Sequence, residues 1–361
     1  MSRYYIGQMS GTSLDGVDSV LMEITSDGVQ MIASHHLDFT AQVKNEILSL
    51  CSEGHNELHR SQLMANQIAE LYAASVDELL HNCNVSADEV IAIGAHGQTI
   101  RHMPSDYTVQ IINAALLAEL TGISVVNDFR SRDLAAGGQG APLVPAFHKF
   151  LFHETNKNKV IVNIGGMANI SILNSDGSVS GYDTGPGNVL MDAWFSCHLN
   201  GNYDEDGNWA RCGTAIPELL NDFLAEPYFS KPAPKSTGRE LFDMSWLLEY
   251  EPHDYEAENI QATLLQLTAQ SIGNEVKKLN NITDVVVCGG GAYNGELMKA
   301  LDEALPNVDV QTSDDLGLDA QCIEALAFGW LAHQCLQGLP GNVPAVTGAK
   351  GERVLGAIYP K

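Results

Sequence analysis

The glycines limit the fold of this chain more than any other residue type, because its 33 glycines gather where short apolar runs end. Glycine has no Cβ, so backbone can turn sharply there and approach a ligand or another strand closely. Tyr4-Tyr5-Ile6-Gly7-Gln8-Met9 reads as a strand, Ser10-Gly11-Thr12-Ser13-Leu14-Asp15-Gly16-Val17-Asp18 as a polar tip, and Val20-Leu21-Met22-Glu23-Ile24 as a second strand. The chain therefore opens with a hairpin. The same order returns at Lys159-Val160-Ile161-Val162-Asn163-Ile164, Gly165-Gly166 and Ala168-Asn169-Ile170-Ser171-Ile172-Leu173. This is a weak internal duplication. A third glycine turn, Gly289-Gly290-Gly291, closes the strand Val285-Val286-Val287-Cys288.

Helical periodicity runs over about 41–52 and 57–82, where Leu58, Leu63, Ile68, Leu71, Leu79 and Leu80 mark an apolar face. Val90-Ile91-Ala92-Ile93-Gly94 reads as a buried strand ending at Ala95-His96-Gly97-Gln98-Thr99. A helix at about 111–121 and a strand at 123–128 lead into a long glycine-rich stretch, 129–142. Such a stretch is usually functional or a linker, so the crossing between domains is placed near it. Region 200–256 is polar, with prolines and aromatics, and reads as an insertion or lid. Helices follow at about 258–280, from the third turn to Leu305, and at 320–337. Strands that end in glycine turns and alternate with helices predict an α/β fold in two lobes. The expected lobes are 1–132 with about 340–361, and 133–339 with the insertion at about 200–256.

Charge narrows the function. With 19 Lys+Arg against 45 Asp+Glu, the formal net charge is −26. A nucleic-acid binder neutralises phosphates with a basic surface, so neither nucleic acid nor an anionic membrane is an expected partner. The amino terminus has no apolar signal region, and no apolar run reaches the roughly 20 residues that span a bilayer. The seven cysteines are scattered and form no Cys-x-x-Cys pair, which favours a reduced, cytoplasmic setting.

Three glycine turns at strand ends point to a nucleotide, since such turns present backbone N–H groups to phosphate oxygens. No Gly-x4-Gly-Lys-Ser/Thr loop occurs and none of the three turns holds a lysine. The phosphates would be met by backbone N–H groups, by the hydroxyls of Ser10, Thr12 and Ser13, and by magnesium near Asp15, Asp18 or Asp183. A dinucleotide fingerprint is disfavoured at the third turn, where Asn294 stands in place of the last glycine. Gly181-Tyr182-Asp183-Thr184-Gly185-Pro186-Gly187-Asn188 fixes one carboxylate between glycines and a proline. Asp183 there is either an Asx-turn or helix cap, or a general base; the other turns favour the base. Glu324 is the one charge in an otherwise apolar helix, either on an exposed stripe or facing a ligand. Arg130 and Arg132 either pair with Asp128 and Asp133 or capture a substrate carboxylate. His96 and Gln98 suit a polar cleft and show no metal-ligand spacing.

Taken together, Gln8-Met9-Ser10-Gly11-Thr12-Ser13-Leu14-Asp15-Gly16-Val17-Asp18, His96-Gly97-Gln98-Thr99, Asp128-Phe129-Arg130, Ala135-Ala136-Gly137-Gly138-Gln139-Gly140-Ala141-Pro142, Asn163-Ile164-Gly165-Gly166, Asp183-Thr184-Gly185-Pro186-Gly187-Asn188 and Cys288-Gly289-Gly290-Gly291 resemble the anhydro-N-acetylmuramic acid kinase family from end to end. The resemblance implies the two-lobed actin-like ATPase (sugar kinase) fold, each lobe a mixed sheet flanked by helices, with ATP in an interdomain cleft. It implies phosphate contacts at Gly11 to Asp18 and at Asn163, Gly165 and Gly166, and adenosine contacts at Gly289, Gly290, Gly291 and Asn294. Ser10, His96, Gln98, Arg130 and Glu324 would touch the sugar, Arg130 its lactyl carboxylate, and Asp15 and Asp18 the magnesium. Asp183 would activate water against C1 of a 1,6-anhydro sugar while the freed O6 takes the γ-phosphoryl group of ATP. The expected partners are these two small molecules, with a homodimer left open. A plain sugar kinase, and an actin- or chaperone-like ATPase regulating a protein partner, are the competing readings.

Overall fold

Tyr4–Ser10 (β1) is buried along nearly its whole length, which suits the centre of a sheet covered on both faces. The computed structural model describes residues 3–11, 13–25, 28–104 and 106–361. In it β1 pairs antiparallel with Gly16–Thr25 (β2), which pairs antiparallel with Gly28–Asp38 (β3). On its other side β1 runs parallel to Val90–Met103 (β4). With Tyr107–Ile111 (β5), Val125–Asn127 (β6) and, later, Ala357–Tyr359 (β12), the sheet has the order β12-β6-β4-β1-β2-β3, β5 lying against β4.

The two faces of this sheet are covered differently. Ile6 joins Val43, Ile47, Ile68, Tyr72 and Val76 of the helices Ala41–Leu50 and Glu57–Cys83 in one apolar cluster. Gly7, pointing the opposite way, lies under the helix Ile323–Gln337, where a Cβ would come 1.8 Å from the Ala325 carbonyl oxygen. A Cβ at Gly94 would come 2.0 Å from that of Phe328. The late helix thus seats backbone against backbone, a closeness only glycine permits.

Asn158–Ile164 (β7), Met167–Leu173 (β8), Val179–Pro186 (β9), Ile282–Cys288 (β10) and Asp309–Thr312 (β11) form a second sheet in the order β11-β10-β7-β8-β9. The helices Ala257–Lys277 and Gly295–Ala304 pack with it. The expected duplication is present as topology. In each sheet an antiparallel run of three strands (β1-β2-β3, β7-β8-β9) is extended from its first strand by two parallel ones (β4 and β6, β10 and β11).

Several expectations need correction. Leu58 and Leu63 are 76% and 57% exposed; the buried face of that helix runs instead through Met64, Ala65, Ile68, Tyr72 and Val76. The strand expected to end at Ala95 to Thr99 runs on, because β4 continues to Met103 with β5 as its partner. Stretch 129–142 holds the short helix Ser131–Ala135. The chain divides into Met1–Leu151 with Cys322–Lys361, and Phe152–Gln321, so the boundary falls after residue 151 rather than 132, and the last long helix belongs to the first unit. The cause is the hydrogen bonding of the glycine stretch to the C-terminal segment, as in Gln139 N–H to the Thr347 carbonyl (2.8 Å). Region 200–256 has structure of its own. Its helices Pro217–Leu224, Pro227–Ser230 and Met244–Leu248 surround an aromatic core in which Trp246 meets Phe223 at 5.2 Å and Phe242 at 5.3 Å.

Candidate functional site

In the second unit Asp183 stands on β9 opposite Asn169 of β8. It caps no helix: its Oδ2 accepts hydrogen bonds from the Thr237 backbone N–H and the Ser236 hydroxyl, both at 3.0 Å. Oδ1 has no hydrogen-bond partner among the described residues. The Asp183 backbone is held as well, its N–H donating to the Lys235 carbonyl (3.1 Å) and its carbonyl accepting from the Tyr228 hydroxyl (2.7 Å). Burial lifts the Asp183 carboxyl above its ordinary range, the Thr237 and Ser236 bonds oppose the lift, and Glu240 adds to it.

Behind Asp183 lies a buried ion pair that the sequence reading missed. Lys235 Nζ meets Glu275 Oε1 at 2.7 Å, with side chains only 2% and 5% exposed. The Tyr182 hydroxyl donates to Glu275 Oε2 (3.1 Å), and Lys278 meets Oε1 at 2.9 Å. Glu275 therefore anchors residues adjacent to Asp183 and to its donor Ser236. No motif announces this, because Lys235 and Tyr182 lie 40 and 93 residues from Glu275 in the chain.

The glycine turns sort into two kinds. Gly165 and Gly166 have room for a Cβ, and their turn is tied to residues 187–189: Asn188 N–H donates to the Gly165 carbonyl (2.8 Å) and Gly187 N–H to that of Gly166 (2.9 Å). Gly290 is exposed and also has room. By contrast, a Cβ on Gly289 would meet Asn163 Oδ1 at 2.4 Å and one on Gly291 would meet Ile164 at 2.4 Å. Those two glycines let the third turn close against the end of β7. Asn294 Oδ1 accepts from Leu297 N–H (3.0 Å), so its side chain caps the helix Gly295–Ala304.

In the first unit the hairpin tip places Gly11 half-buried and Ser13 and Asp15 exposed; Thr12 lies outside the described residues. Leu14 and Val17 send their side chains into the core, so only their backbone is available to a ligand. A Cβ on Gly16 would lie 2.2 Å from the Leu37 carbonyl, which makes it a sheet-packing glycine. Asp18 Oδ1 pairs with His36 Nδ1 at 2.7 Å. Ser10 and Gln98 are buried beneath the tip: Ser10 Oγ is 2.9 Å from the Tyr72 hydroxyl and donates to the Gly97 carbonyl (3.3 Å), while Gln98 Nε2 donates to the Gly11 carbonyl (3.2 Å). They support the tip, with Tyr72 a partner the sequence did not reveal.

Arg130, His96 and Glu324 come together in the same unit. Arg130 Nε and Nη2 donate to His96 Nε2 at 3.1 and 2.8 Å, and Nη1 donates to the Gly140 carbonyl at 2.8 Å. A guanidinium has no acceptor, so His96 Nε2 carries its lone pair and Nδ1 the proton. Burial and then Arg130 hold His96 far below its ordinary pKa, so it is neutral. Burial lowers Arg130 to about 10 against the pull of Glu324, leaving it cationic at neutral pH. Burial raises Glu324, Arg130 opposes this, and Asp18 adds to it. Of the two readings of Arg130, local pairing with Asp128 or Asp133 is not made. Asp133 bonds Gly140, Asn342 and Thr347 instead, and Asp128 accepts from the Ser131 hydroxyl.

The family model of anhydro-N-acetylmuramic acid kinase matches residues 3–361. The anhydro-N-acetylmuramic acid kinase of Nitrosospira multiformis is 50% identical over 361 residues, covering 99% of each chain. That of Nitrosomonas europaea is 48% identical over 361 residues with the same coverage, and that of Pseudomonas syringae pv. syringae 48% over 364 residues, covering 100% of each chain. Among solved structures, component A of (R)-2-hydroxyglutaryl-CoA dehydratase from Acidaminococcus fermentans superposes with a TM-score of 0.50 at 14% identity, covering 91% of this chain and 96% of that one. That likeness shows the fold alone.

Proposed function

The chain belongs to the anhydro-N-acetylmuramic acid kinase family, and from that premise we propose that it opens 1,6-anhydro-N-acetylmuramic acid with water and phosphorylates O6 from ATP, as a step of cell-wall recycling in the cytoplasm. The observation that supports this most is the Asp183 carboxylate, with one oxygen fixed by Thr237 and Ser236 and the other open. Ordinary glycoside hydrolysis needs two carboxyl groups, one of them protonating the leaving oxygen. Here the phosphoryl group captures that oxygen, so one base suffices. Asp183 takes a proton from water as the water oxygen bonds to C1. The C1–O6 bond breaks, its electron pair going to O6, and O6 bonds to the γ-phosphorus as the β–γ bridging P–O bond breaks. The products are N-acetylmuramic acid 6-phosphate, ADP and the proton on Asp183.

Unit by unit, the roles follow from the side chains. The open turns at Gly11, Gly165–Gly166 and Gly290 offer backbone to the nucleotide without side-chain obstruction, whereas Gly16, Gly289 and Gly291 shape those turns. Arg130 is the cation for the lactyl carboxylate, with Glu324 and the buried His96 beside it as the further polar groups toward the sugar. Magnesium takes oxygen ligands and is usually held by one or two carboxylates together with substrate phosphates. Asp15, exposed, and Asp18 are such donors, and no cage of three His, Cys, Asp or Glu exists among the described residues. When bound, the ion would offset phosphate charge. No helix among the described residues is long and apolar enough to cross a membrane. The test is ADP release from purified protein. It should depend on the anhydro sugar; release that ignores the sugar and follows a protein partner instead supports the chaperone-like reading.

A further inference from the structure

The Arg130 guanidinium is held by a relay that begins in the C-terminal segment. Thr347 Oγ1 and Asn342 Nδ2 each donate to Asp133 Oδ1 at 2.7 Å. Asp133 is fully buried, and its other oxygen accepts the Gly140 backbone N–H at 2.8 Å. The carbonyl of the same Gly140 accepts from Arg130 Nη1 at 2.8 Å, and Nε and Nη2 donate to His96, which leaves one N–H on each terminal nitrogen for a carboxylate. The loop between them has no slack. A Cβ on Gly138 would fall 2.2 Å from Asp133 Oδ2, Gln139 N–H bonds the Thr347 carbonyl, and Lys350 N–H bonds that of Ala136 (2.9 Å). A peptide group pinned at its N–H by a buried carboxylate presents its carbonyl in one direction. A bidentate guanidinium–carboxylate contact tolerates little misplacement.

We propose that Asn342 and Thr347 are positioning residues that act through Asp133 and Gly140 to aim Arg130, and so set the preference for a sugar bearing a carboxylate. The proposal rests on Arg130 taking the lactyl carboxylate. No residue of the relay beyond Arg130 and His96 needs to touch the sugar.

The experiment compares 1,6-anhydro-N-acetylmuramic acid with 1,6-anhydro-N-acetylglucosamine, the same sugar without the lactyl group. Kinetics with ATP, and calorimetric binding without it, are measured for the full chain. Thr347→Val removes one donor at nearly constant shape, Asn342→Ser removes the other, and Thr347→Ser restores the first. Thr347→Val and Asn342→Ser should each weaken binding of the carboxylate sugar, and raise its KM, by about tenfold. The change in kcat should stay below about twofold, KM for ATP and affinity for the carboxylate-free sugar should hold, and Thr347→Ser should recover most of the loss. Arg130→Met is the reference. If it weakens both sugars equally, the assignment of Arg130 to the carboxylate is wrong. If it discriminates between them but neither relay variant does, or a relay variant weakens both sugars alike, the relay is overturned.

Discussion

Asp183 joins two properties that pull in opposite directions: it is buried enough to be raised above an ordinary aspartate, yet the base proposed for it must ionise to act. As a base it works only when deprotonated, so activity falls as pH drops through that raised value. The acid limb of kcat/KM should therefore lie above about 3.9, the ordinary value. Asp183→Asn should lower turnover by at least about a thousandfold with ATP affinity unchanged. Stability should move the other way. A carboxyl raised in the folded state favours folding at low pH and loses that contribution as pH rises through its folded value. At neutral pH Asp183→Asn should then melt no lower than wild type, its advantage shrinking in acid. The glycines give a second residue-scale test. Gly290→Ala should fold with an unchanged melting temperature and weaken ATP, whereas Gly291→Ala should destabilise, because its Cβ would lie 2.4 Å from Ile164; thermal melts and KM for ATP separate the two. The local motif singled out Asp183 in the sequence. Its hydrogen-bond donors were not, since Ser236 and Thr237 lie more than fifty residues away in a region without periodicity.

Among the elements, hairpins, parallel strands and long helices were readable because hydrophobic period and glycine punctuation are local. What misled was exposure. Leu58 and Leu63 look like core residues but lie on the solvent side of their helix, while small Ala65, Ala69 and Ala73 are buried in the apolar cluster. The even hydrophobicity of Ile323–Gln337 likewise hid its docking face, which is written in Gly7 and Gly94 of other strands. The Lys235–Glu275 pair joins region 200–256 to the helix Ala257–Lys277. Removing Lys235 leaves the buried Glu275 carboxylate only Lys278 and the Tyr182 hydroxyl, so Lys235→Met should cost up to about 3 kcal/mol in denaturant unfolding. The double change Lys235→Met with Glu275→Met should recover a large part of that loss.

For the whole molecule the formal net charge is −26, yet Arg130 and Lys235 are each held inside a unit beside a carboxylate, Glu324 and Glu275. The pairing of two like-ordered sheets was legible from repeated strand, glycine turn and strand. The boundary between the units was not, because it depends on Asp133 bonding Asn342 and Thr347 across some two hundred residues of chain. The central claim, that one reaction both opens the anhydro ring with water and phosphorylates O6, is tested most directly by turnover in heavy-oxygen water with the product analysed by mass spectrometry as it forms. The account predicts one solvent oxygen at C1 and none in the phosphate ester, with label and product both lost in Asp183→Asn. A phosphorylated sugar whose anhydro ring is intact, or whose solvent oxygen sits in the phosphate ester, would contradict it.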